Sequence, residues 1–425
     1  MKPKKDQPET HAPRRLAASL IATLMLGSLV PAASAAPLIF SCAAGNDLLR
    51  VASDNGLDVK RFDAPLAAVE AAGDGDGVLL LADAYPTQTT VLDAALFQKA
   101  AGKHLRLYVE YPSFLPGMEV GAPRGTQWEH AVIASDAFAP ALTKLRILAI
   151  HGCRFLPVKA DTPHIVIGRV AGFDTAVYGW AQESHPILFD LPPQAGAGNV
   201  LVATTKLSDF VTGRYAPTDA WQGIWSYGFT WLRPGRELAA LKWTASVRPS
   251  FGAGAALPAD IEAQALRRGI DWYFNGRTTS YSPHMQATLW NCYLWAYRQT
   301  GFEWFRQRAK TAIGMTMAAY LCRIQIRSES HPELDGGWFR AFDFKRWEYW
   351  ASSTDAGWGA WSIESGWTQS WITSVLALRQ MKTSLWDLTN RSKIKSHFDK
   401  LRPTMVPDET LDEVLVNPVA AGAAK

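Results

Sequence analysis

Cysteine is scarce in this chain of 425 residues: Cys42, Cys153, Cys292 and Cys322 are the four. None lies in a C-x-x-C or Cys/His metal spacing, so zinc-site, iron–sulfur and dithiol redox chemistry have no support. Four cysteines allow three pairings that sequence cannot choose among, and buried free thiols are the expected state. There is no phosphate-binding glycine loop, no His-x-x-x-His pair and no EF-hand loop, so no obligatory metal or organic cofactor is expected. Charge is also thin, at 19% of residues with a net of +4. Without residues 1–35 the basic and acidic totals become 38 and 37. That balance gives no electrostatic case for a nucleic-acid partner or an acidic membrane. No apolar run beyond the N-terminal region reaches a membrane-spanning length, so stable membrane insertion is not expected.

The first 35 residues have the layout of an export signal. Lys2, Lys4, Lys5, Arg14 and Arg15 precede an apolar stretch, Leu16 to Val30, and Ala33-Ser34-Ala35 follows as an A-x-A-type cleavage site. Arg14-Arg15 leaves both the Sec and the twin-arginine routes open. A periplasmic or secreted protein is expected, and export would permit disulfides.

From Pro37 to about Trp231, short apolar runs alternate with helical stretches. Strands are expected at 38–42, 59–62, 78–82, 105–111, 146–151, 164–170, 187–189 and 200–204, with helices at 47–55, 65–72, 90–101 and 221–231. Continuous apolar strands between helices predict a largely parallel, doubly wound sheet over 36–245. The stretches Ser41-Cys42-Ala43-Ala44-Gly45-Asn46-Asp47, Leu80-Leu81-Ala82-Asp83 and Tyr108-Val109-Glu110-Tyr111-Pro112-Ser113, with the Trp-rich segment 199–231, resemble a class I glutamine-amidotransferase-like domain. Active members of that class carry a cysteine nucleophile on a strand-to-helix elbow. The matching stretch here is Glu110-Tyr111-Pro112-Ser113, which has no cysteine, and Pro112 lacks an amide donor. The resemblance therefore implies a catalytically silent domain. His151 and Cys153, two apart on a strand, share a face, but no third group that would orient such a pair is visible.

Ser246 to Pro258 is rich in Gly, Ala and Pro and reads as a linker, 246–258. Beyond it the periodicity becomes helical over 259–274, with Asp260 as a candidate N-cap. Further helices are expected from Ser282–Pro283 to Gln299, from Glu303 to Cys322, and from about Ile363–Ser365 to Met381. A polar tail, 391–425, follows the helical region 259–390.

Seven tryptophans fall between Gly336 and Ile372, interleaved with Asp343, Glu348, Asp355 and Glu364, and Asp335 lies just before. Indole faces suit the C–H-rich side of a pyranose, and paired carboxyls suit glycosidic-bond chemistry. This block, together with 268–273, 281–284, 294–301 and 323–329, resembles the six-hairpin, or α/α-toroid, glycosidases of glucuronidase-like type. Relatives of that kind carry an amidotransferase-like domain ahead of the toroid. The implied fold class is α/β plus all-α, with the second part a partial toroid. A toroid of about twelve helices needs on the order of 200 residues, and 259–390 supplies 132.

Glu364 is the first candidate for the acid/base group, at a helix start beside Trp361 and Trp367, where apolar neighbours raise a carboxyl pKa. Favouring the helix dipole is its alternative role. Asp335 and Asp343 are the candidate carboxyl partners, or loop caps. Trp338, Trp358 and Trp361, in Gly-rich loops, are candidate sugar platforms, while Trp367 and Trp371 share a helix face and read as core. Arg340 can meet a uronate or pair with Asp343, and His284 can bind a sugar hydroxyl or cap a helix. The leading expectation is an exported glycoside hydrolase, or its shortened remnant, acting on an acidic or plant-type glycan. The alternatives are a non-catalytic carbohydrate-binding or scaffold protein, with self-association covering helix faces, and a polysaccharide lyase.

Overall fold

Sixteen strands and seven helices occur among the described residues of a computed structural model. These residues are 36–126, 129–150, 152–172, 174–180, 182–192, 197–235, 239–274, 315–339, 342–349 and 366–382. The N-terminal half contributes β1 (Leu38–Ser41), α1 (Asp47–Asp54), β2 (Val59–Phe62), α2 (Pro65–Ala71), β3 (Gly77–Leu80), α3 (Ala94–Gly102) and β4 (Arg106–Glu110). A strand-only stretch follows: β5 (Arg124–Gly125), β6 (His130–Ile133), β7 (Ile147–Ile150), β8 (Arg154–Phe155), β9 (Pro163–Gly168), β10 (His185–Asp190), β11 (Asn199–Ala203) and β12 (Tyr215–Ala216). Then come α4 (Thr218–Leu232), β13 (Arg248–Pro249), α5 (Ile261–Phe274), α6 (Met315–Arg323), β14 (Ile326–Arg327), β15 (Phe342–Asp343), β16 (Glu348–Tyr349) and α7 (Gly366–Gln380).

Ten strands form one sheet in the order β12-β7-β6-β9-β10-β11-β4-β3-β1-β2. From β2 to β11 the pairings are parallel. Helices cover both faces of this half. α1 and α4 bury Leu48, Val51, Trp221, Trp225 and Phe229 against Phe40, Leu79 and Tyr108. α2 and α3 bury Val69, Leu96 and Phe97 against Ile39, Val78 and Leu107. Asn46 starts α1 by accepting from the amides of Leu48 (2.9 Å) and Leu49 (3.3 Å), a cap that contributes about 1 kcal/mol.

From β11 to β12 every pairing is antiparallel. The sheet is thus mixed, which corrects the expectation of a largely parallel one. The cause is in the connections. Parallel neighbours need a crossover, usually a helix, and among the described residues no helix lies between β4 and α4.

The fold class also differs from the expected α/β plus all-α. The chain is of α/β type dominated by this sheet, and it is not an α/β domain followed by an α/α-toroid. In the described part of 259–390 there are three helices, with β14 and the β15–β16 hairpin between them. The helices meet around Ala265, Leu321, Trp338, Ile372 and Leu376. The expected linker is also structured: β13 pairs with β14, and Arg248 donates to both carboxylate oxygens of Glu329 at 2.6 and 2.7 Å.

Candidate functional site

The aromatic-acid block is described over 335–339, 342–349 and 366–372, so Asp335, Trp338 and Asp343 can be placed. Glu364, Trp358, Trp361, Arg340 and His284 lie outside the described residues.

Trp338 does not present a face to a ligand. It is fully buried, its Nε1 donates to Leu321 O at 2.8 Å, and its amide donates to Gln369 Oε1 at 2.7 Å. Its ring lies over Gly269 of α5, where a Cβ would come within 2.4 Å of Trp338 Cζ3. The neighbouring glycines serve packing: Gly336 adopts φ +93° against the Arg268 backbone, and Gly337 lies against the Trp272 indole.

Asp335 belongs to a structural hub. Arg268 donates to Ser250 Oγ (2.9 Å), Gln325 Oε1 (3.1 Å), Ile326 O (2.7 Å) and Asp335 Oδ1 (3.1 Å). Asp335 Oδ1 also accepts from the Ser328 amide at 3.1 Å. This carboxylate therefore ties α5 to β14 and the loop after it.

Asp343 sits in the β15–β16 hairpin directly across from Glu348, where cross-strand Cβ atoms are about 4.5–5.5 Å apart. The turn between them closes through Trp347 N to Asp343 O at 2.7 Å, with Trp347 at φ +58°. The two carboxyls are driven in opposite directions. Burial would raise Asp343, but the amides of Arg346 and Lys345 and the Arg346 guanidinium outweigh it and hold it below the usual carboxylate range. Burial dominates at Glu348 and pushes it up, against hydrogen bonds from Thr218. Thr218 donates its amide (3.0 Å) and hydroxyl (2.8 Å) to Glu348 Oε2 at the first residue of α4. Arg346 completes the cluster, 2.6 Å from Asp343, 3.4 Å from Asp174 and 3.6 Å from Asp219. Glu348, which the sequence did not single out, thus holds a helix start of the sheet domain.

Aromatic rings gather around the same hairpin. Phe344 and Trp347 touch each other, and each touches both Phe342 and Tyr320 of α6, with Tyr320–Phe344 at 5.9 Å and Phe344–Trp347 at 6.1 Å between centroids. Tyr320 and Phe344 remain 41% and 57% exposed, and Phe344 directly follows Asp343 in the chain. Neither residue was selected from sequence, because neither is a tryptophan nor flanked by glycine.

At the carboxyl end of β4, in the parallel half of the sheet, Glu110 is followed by Tyr111. It is fully buried, at φ +50°. Glu110 is buried beneath it, accepting from the amides of Leu207 and Ser208 (2.9 Å each) and from Ser208 Oγ (2.8 Å). Burial pushes the Cys42 and Cys153 thiols up to about 12, so neither is a thiolate nucleophile at neutral pH. The three described cysteines are free and buried, and His151 lies outside the described residues.

Comparison with protein-family models, with curated proteins and with solved structures gives no match. Among the described residues, no helix is long and apolar enough to cross a membrane, and no group of three or more His, Cys, Asp or Glu is placed to hold a metal ion.

Proposed function

We propose that the protein is an exported carbohydrate-binding protein that takes an acidic or plant-type glycan on the open rings of Tyr320 and Phe344, without hydrolysing it. The observation that carries this reading is the pairing of an exposed aromatic surface with acids that, among the described residues, are already engaged. Tyr320 and Phe344 stand open beside Trp347, while Asp335, Asp343 and Glu348 are bound to guanidinium, amide or hydroxyl donors. Ring faces supply apolar contact to a pyranose, and Lys345, exposed next to Phe344, supplies a cation for a uronate. The export pattern of residues 1–35 supports the location.

The opposed shifts of Asp343 and Glu348 favour one second reading, hydrolysis, because a carboxyl held ionised opposite one pushed up is the division of labour of an acid/base pair. Titration of the full chain with acidic oligosaccharides, alongside assay of reducing ends, separates the two. The binding reading predicts saturable binding that Tyr320→Ala and Phe344→Ala weaken, with no product formed. Turnover that Asp343→Asn or Glu348→Gln abolishes would establish the hydrolase instead.

A further inference from the structure

At one end of the antiparallel half of the sheet, three neighbouring strands bring a serine, a histidine and an aspartate together. Ser135 lies two residues past β6, and the amide of the intervening Ala134 donates to His164 O at 2.8 Å. On β9, Pro163 pairs with Phe189 and Ile165 with Leu188, which leaves His164 as the extra residue of a bulge. A bulge re-aims a side chain. Asp190 is the last residue of β10. His164 Nδ1 is 2.9 Å from Ser135 Oγ, and its Nε2 is 2.9 Å from Asp190 Oδ2. Tyr227 Oη of α4 stands 3.2 Å from the same Nε2, and the Ala137 amide donates to Ser135 Oγ at 3.3 Å.

The contacts set the tautomer. An ionised carboxylate only accepts, so Nε2 carries the proton given to Asp190. In the neutral ring Nδ1 is then the acceptor, and the Ser135 hydroxyl donates to it. A nucleophile bonded to a base, with the base oriented by a third group, is the arrangement that activates serine.

We propose that Ser135, His164 and Asp190 form a nucleophile–base–carboxylate relay that hydrolyses esters of neutral acyl groups. Ser135 Oγ attacks the ester carbonyl carbon and gives its proton to His164 Nδ1. The alcohol leaves with that proton as its C–O bond breaks. Water then attacks the acyl-serine, Nδ1 takes and returns its proton, and the acid departs with Ser135 restored. Asp190 acts as the positioning residue. The substrate class follows from the surroundings. The Phe138 and Tyr227 rings lie edge-on to the imidazole, with centroids 6.1 and 5.5 Å from it, and make an apolar wall. The Asp190 carboxylate, 47% exposed, repels an anionic acyl chain. Burial and Asp190 push the Tyr227 phenol above its ordinary value, so it remains a protonated neighbour of the carboxylate.

The test uses the full chain with a fluorophosphonate probe and p-nitrophenyl acetate. The relay predicts one label per chain, mapped to the Ser135 peptide, and ester turnover that Ser135→Ala removes. Asp190→Asn lowers the rate by about 10²–10⁴-fold with an unchanged circular dichroism spectrum. The ¹⁵N shifts of His164 report the Nε2–H form in the wild type and a changed tautomer in that variant. A folded wild-type protein that takes no label at Ser135 would overturn the proposal, as would turnover that survives Ser135→Ala. The glycan reading stands or falls separately, on the titration above.

Discussion

Gly269→Ala is a sharp probe of how the C-terminal segments pack. The residue lies inside α5, where an alanine would ordinarily gain up to about 1 kcal/mol in helix propensity. Here the new Cβ would meet Trp338 Cζ3 at 2.4 Å and Cη2 at 2.5 Å, with Thr373 Oγ1 at 3.3 Å. Carbon contacts are comfortable at about 3.5–4.0 Å, so the ring would have to retreat by roughly 1 Å. It has little room to do so, being fully buried and bonded at Nε1 to Leu321 and at its amide to Gln369. Overpacking of this kind costs about 1–3 kcal/mol, which exceeds the propensity gain. A net loss of up to about 2 kcal/mol is expected in urea unfolding followed by circular dichroism. The control is the double variant with Trp338→Leu: once the indole is gone, adding Gly269→Ala should become neutral or stabilising, a coupling that a double-mutant cycle reads directly. Stabilisation by Gly269→Ala in the wild-type background would refute the placement of Trp338 over α5.

Asp343 and Glu348 are expected to titrate on opposite sides of the ordinary carboxyl value of about 4, as ¹³C NMR of the side-chain carboxyls will show. The signs follow from linkage. Asp343, depressed in the fold, contributes stability that is present above about pH 4 and lost as pH falls through its folded pKa. Glu348, raised, contributes the reverse, a stabilisation lost as pH rises through its folded pKa. Asp343→Asn should therefore flatten the acid limb of the stability profile, and a reversed order of titration would contradict the hairpin geometry. Cys42, Cys153 and Cys322, buried with thiols pushed up to about 12, should resist a thiol reagent in the native state at pH 8 and react on unfolding. Asn46→Ala should cost about 0.5–2 kcal/mol in chemical unfolding through loss of the α1 cap, and a neutral outcome would remove that cap from the account.

The parallel half of the sheet was legible because its strands are unbroken apolar runs and its helices begin with readable signals such as Asn46-Asp47 and Ala64-Pro65. In the antiparallel half, β7, β9 and β10 overlap the strands expected at 146–151, 164–170 and 187–189, while β6, His130–Ile133, was missed. Strand direction was not legible, because it lies in the connections. The Arg268-Gly269-Ile270-Asp271-Trp272 stretch looked like a family motif. Its described contacts are structural: Arg268 joins β14 and Asp335, Gly269 admits Trp338, and Trp272 donates to Glu333 O at 2.8 Å. The Asp343–Glu348 pairing was hidden because the hairpin turn, Phe344 to Trp347, contains no Gly, Asn or Pro. Its left-handed position is taken by Trp347, which no turn rule anticipates. Ser135, His164 and Asp190 are separated by 29 and 26 positions, and only strand order brings them together.

Glycan binding without hydrolysis is tested most directly by calorimetric titration of the full chain with an acidic oligosaccharide, followed by product analysis of the same sample. The account predicts saturable binding and intact oligosaccharide. It further predicts that Phe344→Ala weakens affinity by about five- to tenfold, as loss of roughly 40–50 Å² of apolar contact at about 25 cal/mol/Å² implies. Cleaved oligosaccharide, or affinity untouched by removing both Phe344 and Tyr320, would contradict it.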